Sequence, residues 1–240
     1  MTEDRPPPLR VYGRRRGRPL RTGRQSLLET LLPRLAVPLP AAGALDPAAM
    51  FDRPMRALWL EVGFGGGEHL AWQAAAHPDV GLIGAEVFLN GVAQLLGHIS
   101  ADPPPNLRLI PDDVRPLLDA LPDAALDRVF VLFPDPWPKT RHHRRRFVQP
   151  ANLDRLARTM RDGGELRLAS DHMEYVRWML FHLLRHGAFE WLAAGPEDWR
   201  VRPDDWPETR YEAKAKRRGL RPVYLRFRRR PRRGAEPERP

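Results

Sequence analysis

LWLEVGFGGGEHL, residues 58–70, packs an apolar run, an acid, a glycine-rich turn and the start of a helix into thirteen positions. The apolar part reads as a strand buried on both faces, and the glycines and helix start read as the crossover to a parallel neighbour. The same alternation recurs along the chain. Strand-like segments are predicted at 57–62, 81–87, 107–110, 128–133, 165–169, 189–192 and 223–227, and helices at 67–76, 89–99, 114–120, 151–161 and 172–186. Strands alternating with helical crossovers imply an α/β class, a doubly wound, Rossmann-like sheet of about seven strands. Gly163-Gly164 reads as a turn between a helix and a strand, and 38–54 as a loop. Ser26 and Glu29 have capping-box spacing ahead of a short helix ending near residue 35. No helix is predicted in the polar stretch between 192 and 223.

The glycines are informative by what is missing. Gly63, Gly65 and Gly67 give G-x-G-x-G, whereas a dinucleotide fingerprint needs glycine at 68, where Glu68 stands. An acid beside a pyrophosphate at a helix N-terminus is repulsive. A donor without phosphates suits this loop better, and S-adenosylmethionine, with an adenosine, an amino-acid end and a sulfonium, is the cofactor expected. Acids follow in series: Glu61 ends the first strand, Glu86 the second, Asp112-Asp113 the third, and Asp135 lies just past the fourth. All fall at the carboxyl edge where such sheets bind ligands. One strand-end acid is an ordinary loop or capping residue; four in succession point to a site.

The chain has 240 residues, a net charge of +10 and no cysteine. The absence of cysteine excludes disulfides, thiolate metal sites and thiol nucleophiles. The charge is uneven: residues 1–24 hold eight arginines against two acids, and 213–240 hold twelve basic residues against two acids, while 25–212 hold 20 bases against 26 acids. Basic ends suit a phosphate-tracking surface, although charge runs also occur as solvated faces. Apolar runs are strand-length, too short for a bilayer, and no secretory h-region is seen; a cytoplasmic protein without a membrane span is expected. The expected organisation is a basic arm with a short helix over 1–45, one catalytic domain over 46–230 and a tail over 231–240.

On the acidic middle sits one basic island. FPDPWPKTRHHRRRFVQ, residues 133–149, sets Asp135 between two prolines, beside Trp137 and ahead of Lys139, Arg141, His142, His143, Arg144, Arg145 and Arg146. A rigid acid, an aromatic face and a cationic run suit an enzyme acting on a base within a polyanion. Trp137 reads as a stacking platform or, more readily in a proline-rich turn, as packing, and Asp171 equally as a base contact or a helix cap. His142-His143 lacks metal-ligand spacing, so no metal is expected.

This segment, with LEVGFGGGE and the late TRYEAKAKRRG (209–219), closely resembles bacterial tRNA (guanine-N7-)-methyltransferases. The resemblance runs from the GRRRGR element to about residue 228. It implies a class I methyltransferase fold, S-adenosylmethionine as cofactor, tRNA as partner, and the variable-loop guanine 46 as the methylated base. Position by position, it implies Glu61, Gly63, Gly65, Glu86, Asp113 and Asp135 for cofactor binding, with Asp135 also catalytic. It implies Lys139, Asp171, Thr209, Arg210, Tyr211 and Glu212 for substrate binding, and Arg141 through Arg146 for RNA contact. The chain departs from the family pattern around Glu86, with Phe88 in place of the usual His and Asn90 in place of Pro.

Overall fold

The computed structural model describes residues 11–40 and 44–232; the expected arm and tail therefore fall partly outside the described residues. Seven strands form one sheet: β1 (Ala57–Val62), β2 (Val80–Ala85), β3 (Leu107–Ile110), β4 (Leu126–Leu132), β5 (Met160–Ser170), β6 (Phe189–Trp191) and β7 (Val223–Arg229). Their order is β3-β2-β1-β4-β5-β7-β6. The pairs from β3 to β5 are parallel, and β7 runs antiparallel to both β5 and β6. The doubly wound α/β expectation is correct. The order reverses between β1 and β4, the switch point where such sheets open a crevice.

Nine α-helices lie among the described residues: α1 (Thr22–Thr30), α2 (Leu32–Leu35), α3 (Glu68–Ala76), α4 (Leu89–Ile99), α5 (Val114–Ala120), α6 (Pro150–Thr159), α7 (Met173–Arg185), α8 (Glu197–Arg200) and α9 (Arg210–Arg217). Along β1 the pleat divides its side chains between two cores. Leu58, Leu60 and Val62 meet Leu117, Leu156 and Met179 of α5, α6 and α7 on one face. Trp59 meets Leu70, Leu95 and Leu31 of α3, α4 and the α1–α2 junction on the other. Each fully buried leucine contributes about 2 kcal/mol of transfer free energy, so these helices, too short to persist alone, are held by the sheet.

Three expectations are corrected. Ser26 lies inside α1, which begins four residues earlier without a side-chain cap; its carbonyl accepts from Thr30 Oγ1. Gly163, with φ +79°, lies within an irregular start of β5 rather than before it, because Met160 already pairs with Leu126. The stretch before β7 contains α8 and α9. Just before the segment expected as a loop, Ala36 bridges Leu109, so the chain leaving α2 extends the sheet edge.

Candidate active site

At the carboxyl ends of β1 through β4 the sheet opens a cleft of about 380 Å³, within the range of about 300–1,000 Å³ usual for small-molecule sites. Its floor is the glycine loop. Gly63, Gly65 and Gly67 have φ of 70°, 59° and 78°, a left-handed backbone that residues with a Cβ adopt at a cost. The loop is pressed onto α4 so closely that a Cβ on Gly91 would lie 2.2 Å from the Gly65 carbonyl oxygen.

Glu86 ties the floor together. Its carboxylate accepts from Gly65 N–H at 2.7 Å and Phe88 N–H at 2.8 Å. Burial raises its pKa, against the pull of those backbone donors. Asp113 lines the same cleft, caps α5 by accepting from Arg115 N–H at 2.9 Å, and holds the Arg115 guanidinium. Glu61 is displaced from this wall. It lies in an adjoining small hollow with Thr209 and Tyr211, buried, its Oε2 2.7 Å from Nδ1 of His69. Nothing in the sequence pattern singled out His69.

Past β4 the chain makes the PDPW turn. Phe133 and Trp137 have φ of 50° and 41°, rare for bulky residues, and they bracket Pro134-Asp135-Pro136. Asp135 lines the cleft and keeps an exposed edge, while the surrounding walls desolvate its carboxyl and raise its pKa. Among the described residues no hydrogen bond or ion pair engages it.

The basic run after this turn is a 3-10 helix over Thr140–Arg145, and its members have different environments. Lys139, Arg141 and Arg144 are exposed. The Arg145 guanidinium sits 4.9 Å from the Trp137 ring and 5.3 Å from that of Tyr12, so Trp137 packs against protein. His142 stands edge-on to Trp137; desolvation and then the neighbouring cations lower its pKa. His143 packs on the Trp178 ring at 5.3 Å, with its Nε2 3.8 Å from the Glu174 carboxylate. Arg146 is fully buried, which corrects its expected place in an RNA-contact surface: a guanidinium with no exposed surface cannot reach a phosphate.

The late segment folds back over the glycine loop. Thr209 Oγ1 caps α9 by accepting from Glu212 N–H at 3.2 Å. Arg210 stacks on Tyr211 and reaches Glu68 and Gln94, and Tyr211 lies over Gly65, forming part of the cleft wall. Glu212 points inward, where Arg202 and Lys216 hold it at 3.1 and 2.7 Å, so it anchors α9 rather than facing a ligand. Asp171 is half-buried and is on neither the cleft nor the hollow wall. The cap of α7 is His172, whose Nδ1 accepts from Tyr175 N–H.

A further contributor escaped sequence reading. Residues 11–18 form a strap whose first four residues line the cleft. Arg15 pairs with Asp112 at 2.6 Å, and its carbonyl accepts from Leu89 N–H. Asn90 accepts from Gly17 N–H at 2.7 Å and donates to the Arg18 carbonyl at 2.8 Å. The Asn90 departure from the family pattern thus provides an anchor for the strap.

Residues 55–224 match the family model described as "Putative methyltransferase". The tRNA (guanine-N(7)-)-methyltransferase of Rhodospirillum rubrum is 61% identical over 234 residues, covering 96% of this chain and 90% of the relative. Its counterpart in Paramagnetospirillum magneticum is 55% identical over 225 residues, covering 93% and 94%. Among solved structures, 16S rRNA methyltransferase KamB aligns with a TM-score of 0.51 at 15% identity, over 74% of this chain and 89% of that one. A 16S rRNA (adenine(1408)-N(1))-methyltransferase from Catenulisporales acidiphilia gives 0.51 at 18% identity, over 79% and 93%. At such identities the structural likeness concerns the fold alone.

Proposed function

We propose, for a chain that belongs to the tRNA (guanine-N(7)-)-methyltransferase family, that it methylates N7 of a tRNA guanine in the variable loop, at position 46. The observation that carries the site assignment is the unpartnered Asp135 carboxylate, set in a rigid turn on the wall of the cleft that Glu86 underlies.

The cleft's donor set fits S-adenosylmethionine. A buried carboxylate at 86 suits vicinal hydroxyls, Val87, Phe88 and Val114 provide an apolar wall, and the helix after the glycine loop begins with an acid, unsuited to a pyrophosphate. Gly63, Gly65, Glu86 and Asp113 would hold the cofactor, with Glu61 charging the hollow beneath Tyr211. When bound, it supplies an electrophilic methyl group. Guanine N7 has a lone pair and no proton, so the protein needs no base to activate it. Its task is to hold the base in line, where orientation alone supplies several kcal/mol, roughly. Asp135 accepts from the guanine N1–H and N2–H₂ edge and offsets the positive charge that develops on the base. Arg145, Arg210 and Tyr211 line the approach. Lys139, Arg141 and Arg144, exposed on the surface, meet phosphates.

In the same reading residues 1–45 are a basic arm with a short helix, 46–230 the catalytic domain and 231–240 a tail, and the protein works in the cytoplasm on tRNA. No helix among the described residues is long and apolar enough to cross a membrane. The test is Asp135→Asn with unmodified tRNA. Turnover should fall about 100-fold or more while S-adenosylmethionine still binds by calorimetry, and near-normal turnover overturns the assignment. Nucleoside mass spectrometry of the product should find 7-methylguanosine.

A further inference from the structure

Arg146 is the anomaly of the basic turn. Its neighbours are exposed or half-exposed, yet its side chain has no accessible surface. Burying a guanidinium is unfavourable unless its donors are satisfied and its charge matched, and here both conditions are met. Nε donates to the Pro136 carbonyl at 2.8 Å, and one terminal nitrogen to the Trp137 carbonyl at 3.4 Å. The two terminal nitrogens form a fork on the Glu174 carboxylate, one of them at 3.0 Å. The guanidinium lies 5.0 Å from the Tyr175 ring and 4.8 Å from the Trp178 ring. Three of these partners are on α7, and the two carbonyls belong to the residues directly after Asp135.

The PDPW turn has left-handed backbone at Phe133 and Trp137. Such a conformation persists only where the surroundings over-determine it. Two carbonyls of the turn are held by one planar fork, and the fork is fixed by a carboxylate in the first turn of a helix packed into the core. We propose that Arg146 and Glu174 form a positioning pair that fixes the PDPW turn and so aims Asp135 at the acceptor base. The inference rests on the reading of Asp135 given above. Arg146 is on the cleft wall, but its side chain has no accessible surface. The pair acts through the peptide units of Pro136 and Trp137, and it links the pose of Asp135 to the seating of α7.

Glu174→Gln is the main test, because Glu174 is half-exposed and the amide keeps its shape and one acceptor while losing the charge and the second. Turnover on saturating tRNA should fall about 10- to 100-fold, the range expected when a reacting group is misaimed. The dissociation constant for S-adenosylmethionine and the KM for tRNA should stay near wild type, while the melting temperature falls because the buried Arg146 is left without its counter-charge. Arg146→Lys, a point charge that cannot span two carbonyls and a carboxylate, should show the same split. If that variant does not fold, Glu174→Gln decides alone. In an Asp135→Asn background, Glu174→Gln should cause no further loss, since a group acting through Asp135 is silent once Asp135 is gone. Unchanged turnover in Glu174→Gln overturns the inference. So does a loss matched by weaker cofactor binding, or an additive loss in the double variant. A fully active Asp135→Asn instead overturns the reading of Asp135, so the two failures are distinguishable.

Discussion

Glu86 shows how one side chain carries opposite requirements for stability and binding. Burial raises its pKa above the ordinary glutamate value, with the Phe88 and Gly65 amides pulling the other way. A carboxyl with a raised folded-state pKa stabilises the fold below the unfolded value of about 4.3, and that contribution is lost as pH rises through the folded value. As pH rises through that value the apo protein therefore meets a growing cost of ionising Glu86, while the charge is what ribose hydroxyls require. Glu86→Gln should weaken S-adenosylmethionine binding at neutral pH. The melting temperature of the apo variant, relative to wild type, should become steadily more favourable as pH is raised from about 4 to 7, through the carboxyl range. Parallel melting curves across that range would sink this account of Glu86. Glu86 could be read from sequence because a strand-end acid one crossover after a glycine turn is a local pattern. Arg146 could not. Arg144, Arg145 and Arg146 are chemically identical in the string, and only Glu174, 28 residues later, and the rings at 175 and 178 decide which one is buried.

At the scale of elements, the strands were legible because short continuous apolar runs between turn signals, alternating with helical crossovers, write themselves locally, and the expected and observed bounds differ mainly at the ends. The helix that matters most for the site, α9, was not. RYEAKAKR buries only Glu212 and Ala215, so it has no apolar stripe for a helical period to reveal. Its usable signal was the cap: Thr209 three residues before Glu212 has the capping-box spacing, the same spacing that misled at Ser26. The two cases differ by context, since Ser26 is preceded by residues able to continue the helix upstream, whereas Thr209 comes after the Pro207 break. Thr209 is thus the start of the element that carries Arg210 and Tyr211 over Gly65. Thr209→Ala should destabilise the protein by about 1 kcal/mol, a usual cost for losing a cap, read from urea denaturation. It should also weaken cofactor binding, because Tyr211 loses its fixed approach to the glycine loop. Thr209→Ser, which keeps the hydroxyl, should restore both. Failure of serine to restore binding would mean that the hydroxyl is not what positions the helix.

On the scale of the whole molecule, the doubly wound order brings every functional segment to one edge of the sheet. The strand ends supply the cleft, the strap of residues 11–18 crosses it, α9 folds over the glycine loop, and the 3-10 turn after β4 stands beside them. Since residues 25–212 carry more acids than bases, a polyanion approaching the body at random meets net repulsion, and the basic turn and termini determine where it docks. The turn itself divides the work: Arg145 is stacked between Tyr12 and Trp137 and Arg146 is buried, leaving Lys139, Arg141 and Arg144 as its exposed cations. Replacing these three by alanine should weaken tRNA binding at low salt and reduce the slope of log K against log salt by roughly 0.7–0.9 for each phosphate left without its cation. Cofactor affinity should be unchanged in the Lys139 and Arg141 replacements, which lie off the cleft wall, whereas Arg144 is on that wall. Titrating tRNA at several salt concentrations gives both quantities in one experiment. A weaker affinity with an unchanged slope would assign the effect to shape rather than charge, and an unchanged affinity would leave the basic termini as the sole phosphate-tracking surface.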